Sequence, residues 1–247
     1  MSVTPRSWQR AQRMEKKYWQ TRLAPDNFPA NAMFARNYEY GNLTYSEALV
    51  EVVETIQRLR PIQAQDKILQ IGCGPLDIIN LWKGHQRYGM DPLIPFYRKT
   101  YPLPPDLSIN DIPKKAEELG ELDLSFDIIL ALNVLDHTED LLSILRHLRK
   151  KLNHGGILYT LTNTWTGAGF MLRRLAYPLG VDRAHTYTLT KTNLECQMRG
   201  VGFKNVYSYQ NEKACQYRLM RDSGVPILKL LSLFRIPVYP YTAAYKR

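Results

Sequence analysis

KILQIGCGPLDIINLWKGHQRYGMD, residues Lys67 to Asp91, is the stretch whose reading decides the fold. The apolar run Ile68 to Ile71 meets Gly72-Cys73-Gly74-Pro75 and passes into residues with helical spacing. That order predicts a strand, a tight glycine turn and a helix start. Glycine has no Cβ, so such a turn adopts positive φ and lets a ligand come close to the backbone. The helix N-terminus beyond the turn presents N–H groups that have no partner within the helix. A second short strand, Arg87 to Met90, ends in Asp91. In α/β sheets that bind nucleotides, an acidic residue about 20 positions after the glycine turn accepts hydrogen bonds from the ribose hydroxyls. The spacing from Gly74 to Asp91 fits.

The alternation continues on both sides of this stretch. Upstream, Thr44-Tyr45-Ser46-Glu47 matches a capping box, and Ala48, Leu49, Val52, Val53, Ile56 and Leu59 follow at helical spacing until Pro61. Downstream, Pro92 to Tyr101 reads as a short helix or turn. Pro102, Pro104 and Pro105 lead to a weak third strand near Leu107–Asn110. Phe126 to Asn133 is an apolar run suited to a buried strand. Glu139 to Leu152 follows as an amphipathic helix, with Leu141, Leu142, Leu145, Leu148 and Leu152 inward. Gly155-Gly156 turns the chain into a strand over Ile157–Thr162, and a helix over Thr190–Arg199 precedes strands at Phe203–Gln210 and Val238–Tyr245. Strands and helices in this order predict an α/β fold with a doubly wound, mainly parallel sheet.

Residues 44–247 therefore read as one domain, with insertions at 163–189 and 211–236, behind an N-terminal extension over 1–43. Within the extension, Trp8 to Trp19 reads as a basic helix with aromatic ends. It could cap a cleft, pack on the sheet or join two copies of the chain. The apolar run Pro226 to Phe234 falls well short of the about 20 residues that span a bilayer. With Lys229 and Arg235 it could lie at an interface or line an apolar substrate site, and packing on the sheet is favoured.

With 247 residues, 45% hydrophobic and 23% charged, the chain can bury the core of such a domain. The three cysteines, Cys73, Cys196 and Cys215, show no metal-ligand spacing and leave an odd count, which reads as reduced thiols in a cytoplasmic protein. The N-terminus has no apolar signal core. The net charge of +10 suits an anionic partner, whether nucleic acid, phospholipid or an acidic small molecule. Because the cations are spread along the chain without blocks, a solvated surface with a modest positive field is the simpler account.

Three stretches resemble motifs of the class I S-adenosylmethionine (SAM)-dependent methyltransferases, in the same order. Gly72-Cys73-Gly74 resembles the glycine motif, with Gln70 at its acidic position and Leu76 at its last glycine. Ala116-Glu117-Glu118-Leu119 through Ser125-Phe126-Asp127 resembles the adenine loop and the approach to strand 4. Asn133-Val134-Leu135-Asp136-His137 resembles the Asn-Val-Leu-Glu-His that follows that strand. The resemblance covers residues 45–210 and the last strand, and is closest to the broad "type 11" group.

It implies a Rossmann-like seven-stranded sheet of order 3-2-1-4-5-7-6, with the last strand antiparallel and helices on both faces. It further implies SAM as cofactor and S-adenosylhomocysteine (SAH) as product. By that resemblance Gly72, Cys73 and Gly74 pass beneath the methionyl part, with Gln70 offering an uncharged amide where a carboxylate is usual. Asp91, with Pro92 beside it, takes the ribose hydroxyls. Ala116 and Glu117 face the adenine through their main chain, and Asn133 lies near the methionyl end.

Methyl transfer from a sulfonium needs alignment and, for a hydroxyl acceptor, removal of a proton. It needs no metal and no covalent intermediate, and no metal site is expected. His137, at the ligand edge of the sheet, is the candidate general base. His185 and Tyr187, with Trp165 beside them, are the second candidates. The Asn-Pro-Pro-Tyr of many amino-methylating enzymes is missing after strand 4. The expectation is therefore O-methylation of a small metabolite, a sugar or a lipid-linked glycan. A non-catalytic SAM-fold protein that binds a partner and an RNA methyltransferase are the alternatives, and the oligomeric state is left open.

Overall fold

A computed structural model describes residues 4–22, 45–75, 79, 82, 85–100, 109–177, 185–210 and 238–247. Seven strands form one sheet: β1 (Lys67–Ile71), β2 (Gln86–Met90), β3 (Asn110–Ile112), β4 (Phe126–Leu132), β5 (Leu152–Trp165), β6 (Lys204–Gln210) and β7 (Val238–Lys246). Their order is β3-β2-β1-β4-β5-β7-β6. The first five run parallel, and β7 pairs antiparallel with both β5 and β6. This is the expected Rossmann-like order.

The central strands β1 and β4 are apolar at successive positions because both of their faces are covered. Ile68, Ile128 and Leu130 point to one side, where Val52 and Ile56 of α2 (Tyr45–Leu59) pack on them. Leu69, Ile71, Ile129 and Ala131 point to the other, against α4 (Leu141–Lys151) and α6 (Lys191–Gly200). Each fully buried aliphatic side chain contributes about 1.5–3 kcal/mol relative to exposure. The period of two along each strand divides that contribution between the faces.

Several elements differ from expectation. The third strand lies at Asn110–Ile112, later than Leu107–Asn110, and residues 101–108 lie outside the described ones. Register on β2 sets its position, Tyr88 opposite Asn110 and Met90 opposite Ile112, and no apolar pattern marks so short an edge. α4 begins at Leu141 because Asp140 caps it, accepting from Ser143 N at 3.0 Å. Counted from there, Leu141, Ile144, Leu145 and Leu148 face inward, whereas Leu142 is 40% exposed. Leu152 is already the first residue of β5 and pairs with Phe126.

The connector over 163–189 extends β5 to Trp165 and then forms α5 (Gly167–Ala176). The expected insertion at 211–236, including the run Pro226 to Phe234, lies outside the described residues, as does Thr44 of the capping box.

At the N-terminus, α1 (Pro5–Arg22) lies along the edge where β1, β2 and β3 end. A methyl added at Gly74 would meet Trp19 at 3.7 Å. Trp19 also stacks edge-on against Tyr97 of α3 (Ile94–Thr100), with ring centroids 6.5 Å apart. Lys16 Nζ stands 4.8 Å over the Phe96 ring, and Lys115 Nζ stands 4.0 Å over Trp8. The helix thus reaches from α3 to the turn that precedes β4.

Candidate cofactor and acceptor site

The C-terminal ends of β1, β2 and β4 gather the expected cofactor residues. Gly72 has φ +60° and Gly74 φ +61°, both in the left-handed region. The Gly72 N–H donates to Met90 O at 2.7 Å, tying the turn to β2. A Cβ on Gly72 would stand 2.5 Å from Val134 Cγ2, so the turn and the segment after β4 are in direct contact. Asp91, 9% exposed, holds the turn from the other side: Oδ2 accepts from Gly74 N at 3.1 Å and Oδ1 from Leu93 N at 2.8 Å. A carboxylate is an acceptor with about four lone-pair sites in all, the chemistry that a ribose hydroxyl calls for. Pro92 follows it directly, and Cys73 is buried within the turn.

Gln70 is buried, and its Oε1 accepts from Ile79 N at 3.4 Å. The amide therefore ties the chain beyond the glycine turn back to β1. Ala116 and Glu117 open the 3-10 turn Ala116–Glu121. Glu117 Oε1 accepts from Glu139 N at 2.6 Å and Asp140 N at 3.3 Å, which holds this turn against the start of α4.

Asn133 has φ +50°, and its N–H donates to Leu161 O at 2.7 Å. Its Oδ1 is buried and has no hydrogen-bond partner among the described residues. A buried acceptor without a donor is costly. A cationic ammonium, such as that of SAM, would satisfy it, so the residues present fit this cofactor.

Immediately beyond Asn133 the chain makes the 3-10 turn Leu135–His137, closed by His137 N donating to Val134 O at 3.0 Å. The connector returns to the same turn. Thr186 N and Tyr187 N donate to Asp136 O at 2.8 and 3.0 Å, and Thr186 Oγ1 donates to Thr138 O at 2.6 Å. Those bonds bring His185 beside His137, with ring centroids 4.4 Å apart and planes tilted by 50°.

The Asp136 side chain is 4% exposed, with Oδ1 4.0 Å from His137 Nε2 and Oδ2 3.8 Å from His185 Nε2. Oδ1 has no hydrogen-bond partner among the described residues. Arg173 of α5 braces the connector, donating to His185 O at 2.8 Å and to Thr188 Oγ1 and lying 5.6 Å over Trp165. Phe170, Arg173, Arg174 and Tyr187 line a small cleft next to it.

The structure thus joins His137 and His185 but gives Tyr187 different work. Its hydroxyl donates to Glu139 O at 3.0 Å and accepts from Leu141 N at 3.3 Å, at the start of α4. Burial pushes the phenol above its ordinary pKa. The Leu141 N–H opposes that shift, while Asp140, Glu117 and Glu139 add to it. Asp136 and Thr186 had no assigned role in the sequence; an acid next to His137 was the available signal for Asp136, and Thr186 carried none. Trp19 was legible only as an aromatic end of a helix that could cap a cleft, without a partner at the glycine turn.

Comparison with known proteins agrees with this fold. The methyltransferase domain family matches residues 45–208. A ubiquinone biosynthesis O-methyltransferase of Azorhizobium caulinodans is 29% identical over 163 residues, 59% of this chain, which spans 61% of that relative's length. Among solved structures, the [4+2]-cyclase SpnF superposes with a TM-score of 0.64 at 14% identity, covering 100% of this chain and 98% of its own. Coclaurine N-methyltransferase bound to N-methylheliamine and SAH gives 0.60 at 12% identity, covering 100% of this chain and 83% of its own. With the family matched over most of its length and the sheet in the order described, the chain belongs to the class I SAM-dependent methyltransferases.

Proposed function

We propose that this protein transfers the methyl group of SAM to an oxygen atom of a small acceptor: a metabolite, a sugar or a lipid-linked glycan. The observation that carries this reading is the buried Asp136 with His137 and His185 around it, a few residues beyond the unsatisfied Asn133 Oδ1. When bound, SAM supplies an electrophilic methyl carbon whose leaving group is a neutral thioether. Asp91, Gly74 and Asn133 hold and orient it. An acceptor hydroxyl must lose its proton as the new C–O bond forms, and His137 takes that proton at an imidazole nitrogen. Asp136 stabilises the imidazolium that results. Tyr187 serves as a positioning residue, fixing the connector on α4. The name of the Azorhizobium relative, an O-methyltransferase, supports oxygen as the acceptor atom.

No described helix is long and apolar enough to cross a membrane. Cys73 and Cys196 form no disulfide among the described residues, which supports a reducing compartment, and we assign the reaction to the cytoplasm. We divide the chain into an extension over 1–43 and a catalytic domain over 44–247.

Calorimetric titration with SAM and SAH, beside Asp91→Ala, tests the cofactor half, and transfer of labelled methyl to a panel of hydroxyl acceptors tests the rest. His137→Ala should lower turnover about 10²-fold or more with SAM affinity retained. Unchanged turnover rejects the base. If neither SAM nor SAH binds, the enzyme reading fails in favour of a partner-binding protein.

A further inference from the structure

The structure points to a second occupant of this site. We propose that Asp136, His137 and His185 bind a divalent transition-metal ion, of the zinc or cobalt(II) kind, which takes the acceptor's hydroxyl oxygen as a further ligand. This rests on reading the site as one that methylates oxygen.

One ligand atom from each residue lies within 4.8 Å of the others. The carboxylate-to-imidazole distances, 3.8 and 4.0 Å, are too long for hydrogen bonds. The imidazoles therefore do not satisfy the buried Asp136, whose Oδ1 is without a hydrogen-bond partner among the described residues. Ligands on a zinc-like ion stand about 2.0–2.2 Å from it, so any two are about 3–4 Å apart. The observed spacing needs only a modest rotation of the side chains to meet that requirement.

The set is also held in place from behind. Asp136 and His137 sit on one 3-10 turn, and His185 is fixed by Thr186, by Tyr187 N and by Arg173 on its carbonyl. Two imidazoles and one carboxylate suit zinc, cobalt, nickel or iron better than magnesium or calcium, which favour all-oxygen ligands. Three protein ligands leave a position open for substrate.

Chemically, the ion would replace the base. An acceptor hydroxyl bound to it ionises more readily, as metal-bound water does, and releases its proton to solvent. The oxygen lone pair then forms the C–O bond, and the C–S bond breaks with its electron pair moving to sulfur, giving SAH. The ion keeps its oxidation state. His137 becomes a ligand.

Tag-free, chelator-treated full-length protein is titrated with Co²⁺, followed by visible d–d absorption, and with Zn²⁺ by calorimetry. The variants are Asp136→Asn, His185→Gln and, as a surface control, His154→Ala. His185, with its side chain 31% exposed, should tolerate replacement even if the buried Asp136 does not. One equivalent should bind to the wild type and to His154→Ala, and at least tenfold more weakly to the two site variants. SAH affinity should be retained in His185→Gln. Absence of Co²⁺ and Zn²⁺ binding, or equal binding by the site variants, overturns the proposal. Full methyl transfer by chelator-treated protein also overturns it, and leaves His137 as the base. A bound ion with no transfer to any hydroxyl acceptor instead defeats the O-methylation reading and leaves the metal site standing.

Discussion

Gly72 is constrained in two ways, and the two can be separated by experiment. Its φ of +60° disfavours any side chain, and a Cβ there would press on Val134 at 2.5 Å. Gly155 has φ +77° but nothing within 4 Å of an added Cβ, so it isolates the backbone contribution. Gly155→Ala should cost about 1–2 kcal/mol, the usual left-handed penalty. Gly72→Ala adds an overpacking cost of about 1–3 kcal/mol to the same penalty. Thermal unfolding should rank the two, and calorimetry should show SAM binding lost only at Gly72. Equal effects would mean that the contact with Val134 is dispensable. Asn133 offers the complementary case. Asn133→Gly removes the orphaned Oδ1 and relaxes the φ of +50°. Stability should hold or rise, while SAM affinity drops about tenfold, the size of one hydrogen bond to a charged group. A variant that loses affinity only in proportion to its stability would argue that Asn133 is purely structural.

Among the elements, two junctions control how the site is presented. Where α2 gives way to β1, Arg60 grips the nearly buried Asp66 with both nitrogens, at 2.6 and 2.7 Å. Burial alone would raise the Asp66 pKa. Hydrogen bonds from Arg60 and from Gln63 N, with the charge of Arg60, together bring it below the usual carboxylate value. A depressed folded-state pKa contributes stability above the unfolded value of about 3.9 and loses it as pH falls through the folded one. Arg60→Met should thus cost about 2 kcal/mol at neutral pH. The gap to wild type should close below about pH 4, and a gap independent of pH would exclude the ion pair as its source. At the other junction, α1 sets Trp19 over Gly74 and against Tyr97. The aromatic contact is worth about 1 kcal/mol, so Trp19→Ala should speed SAM release about fivefold. An unchanged off-rate would mean that α1 only packs. The strands and helices that build this frame were legible because Ile68–Ile71 and Phe126–Leu132 are short apolar runs and the leucines of α4 recur at helical spacing. The boundaries were less so. A cap at Asp140, rather than the apolar pattern, sets the inward face of α4, and register on β2, rather than composition, places β3.

Across the whole molecule, the glycine turn and Asp91 could be read in order along the chain because the turn directly follows β1 and Asp91 directly follows the neighbouring β2. The acceptor half could not. His185 meets Asp136 only because α5 and a pair of backbone hydrogen bonds fold the connector over β4, and neither residue predicts the other along the sequence. The two halves meet at Val134, whose side chain contacts the glycine turn while its carbonyl starts the histidine turn. Binding in the cofactor half should therefore stabilise the fold as one cooperative unit. At 100 times its dissociation constant, a ligand specific for the folded state adds about 2.7 kcal/mol. For a protein of this size that raises the melting temperature by about 5–10 °C. SAH should produce this shift in the wild type. Asp91→Ala, which loses the anchors on Gly74 N and Leu93 N, should show little of it. His137→Ala lies beyond the junction and should keep the full shift, so cofactor binding and proton removal would be separated by measurements on a single protein. A shift lost in His137→Ala as well would place the imidazole in the cofactor pocket and dismiss its role as base.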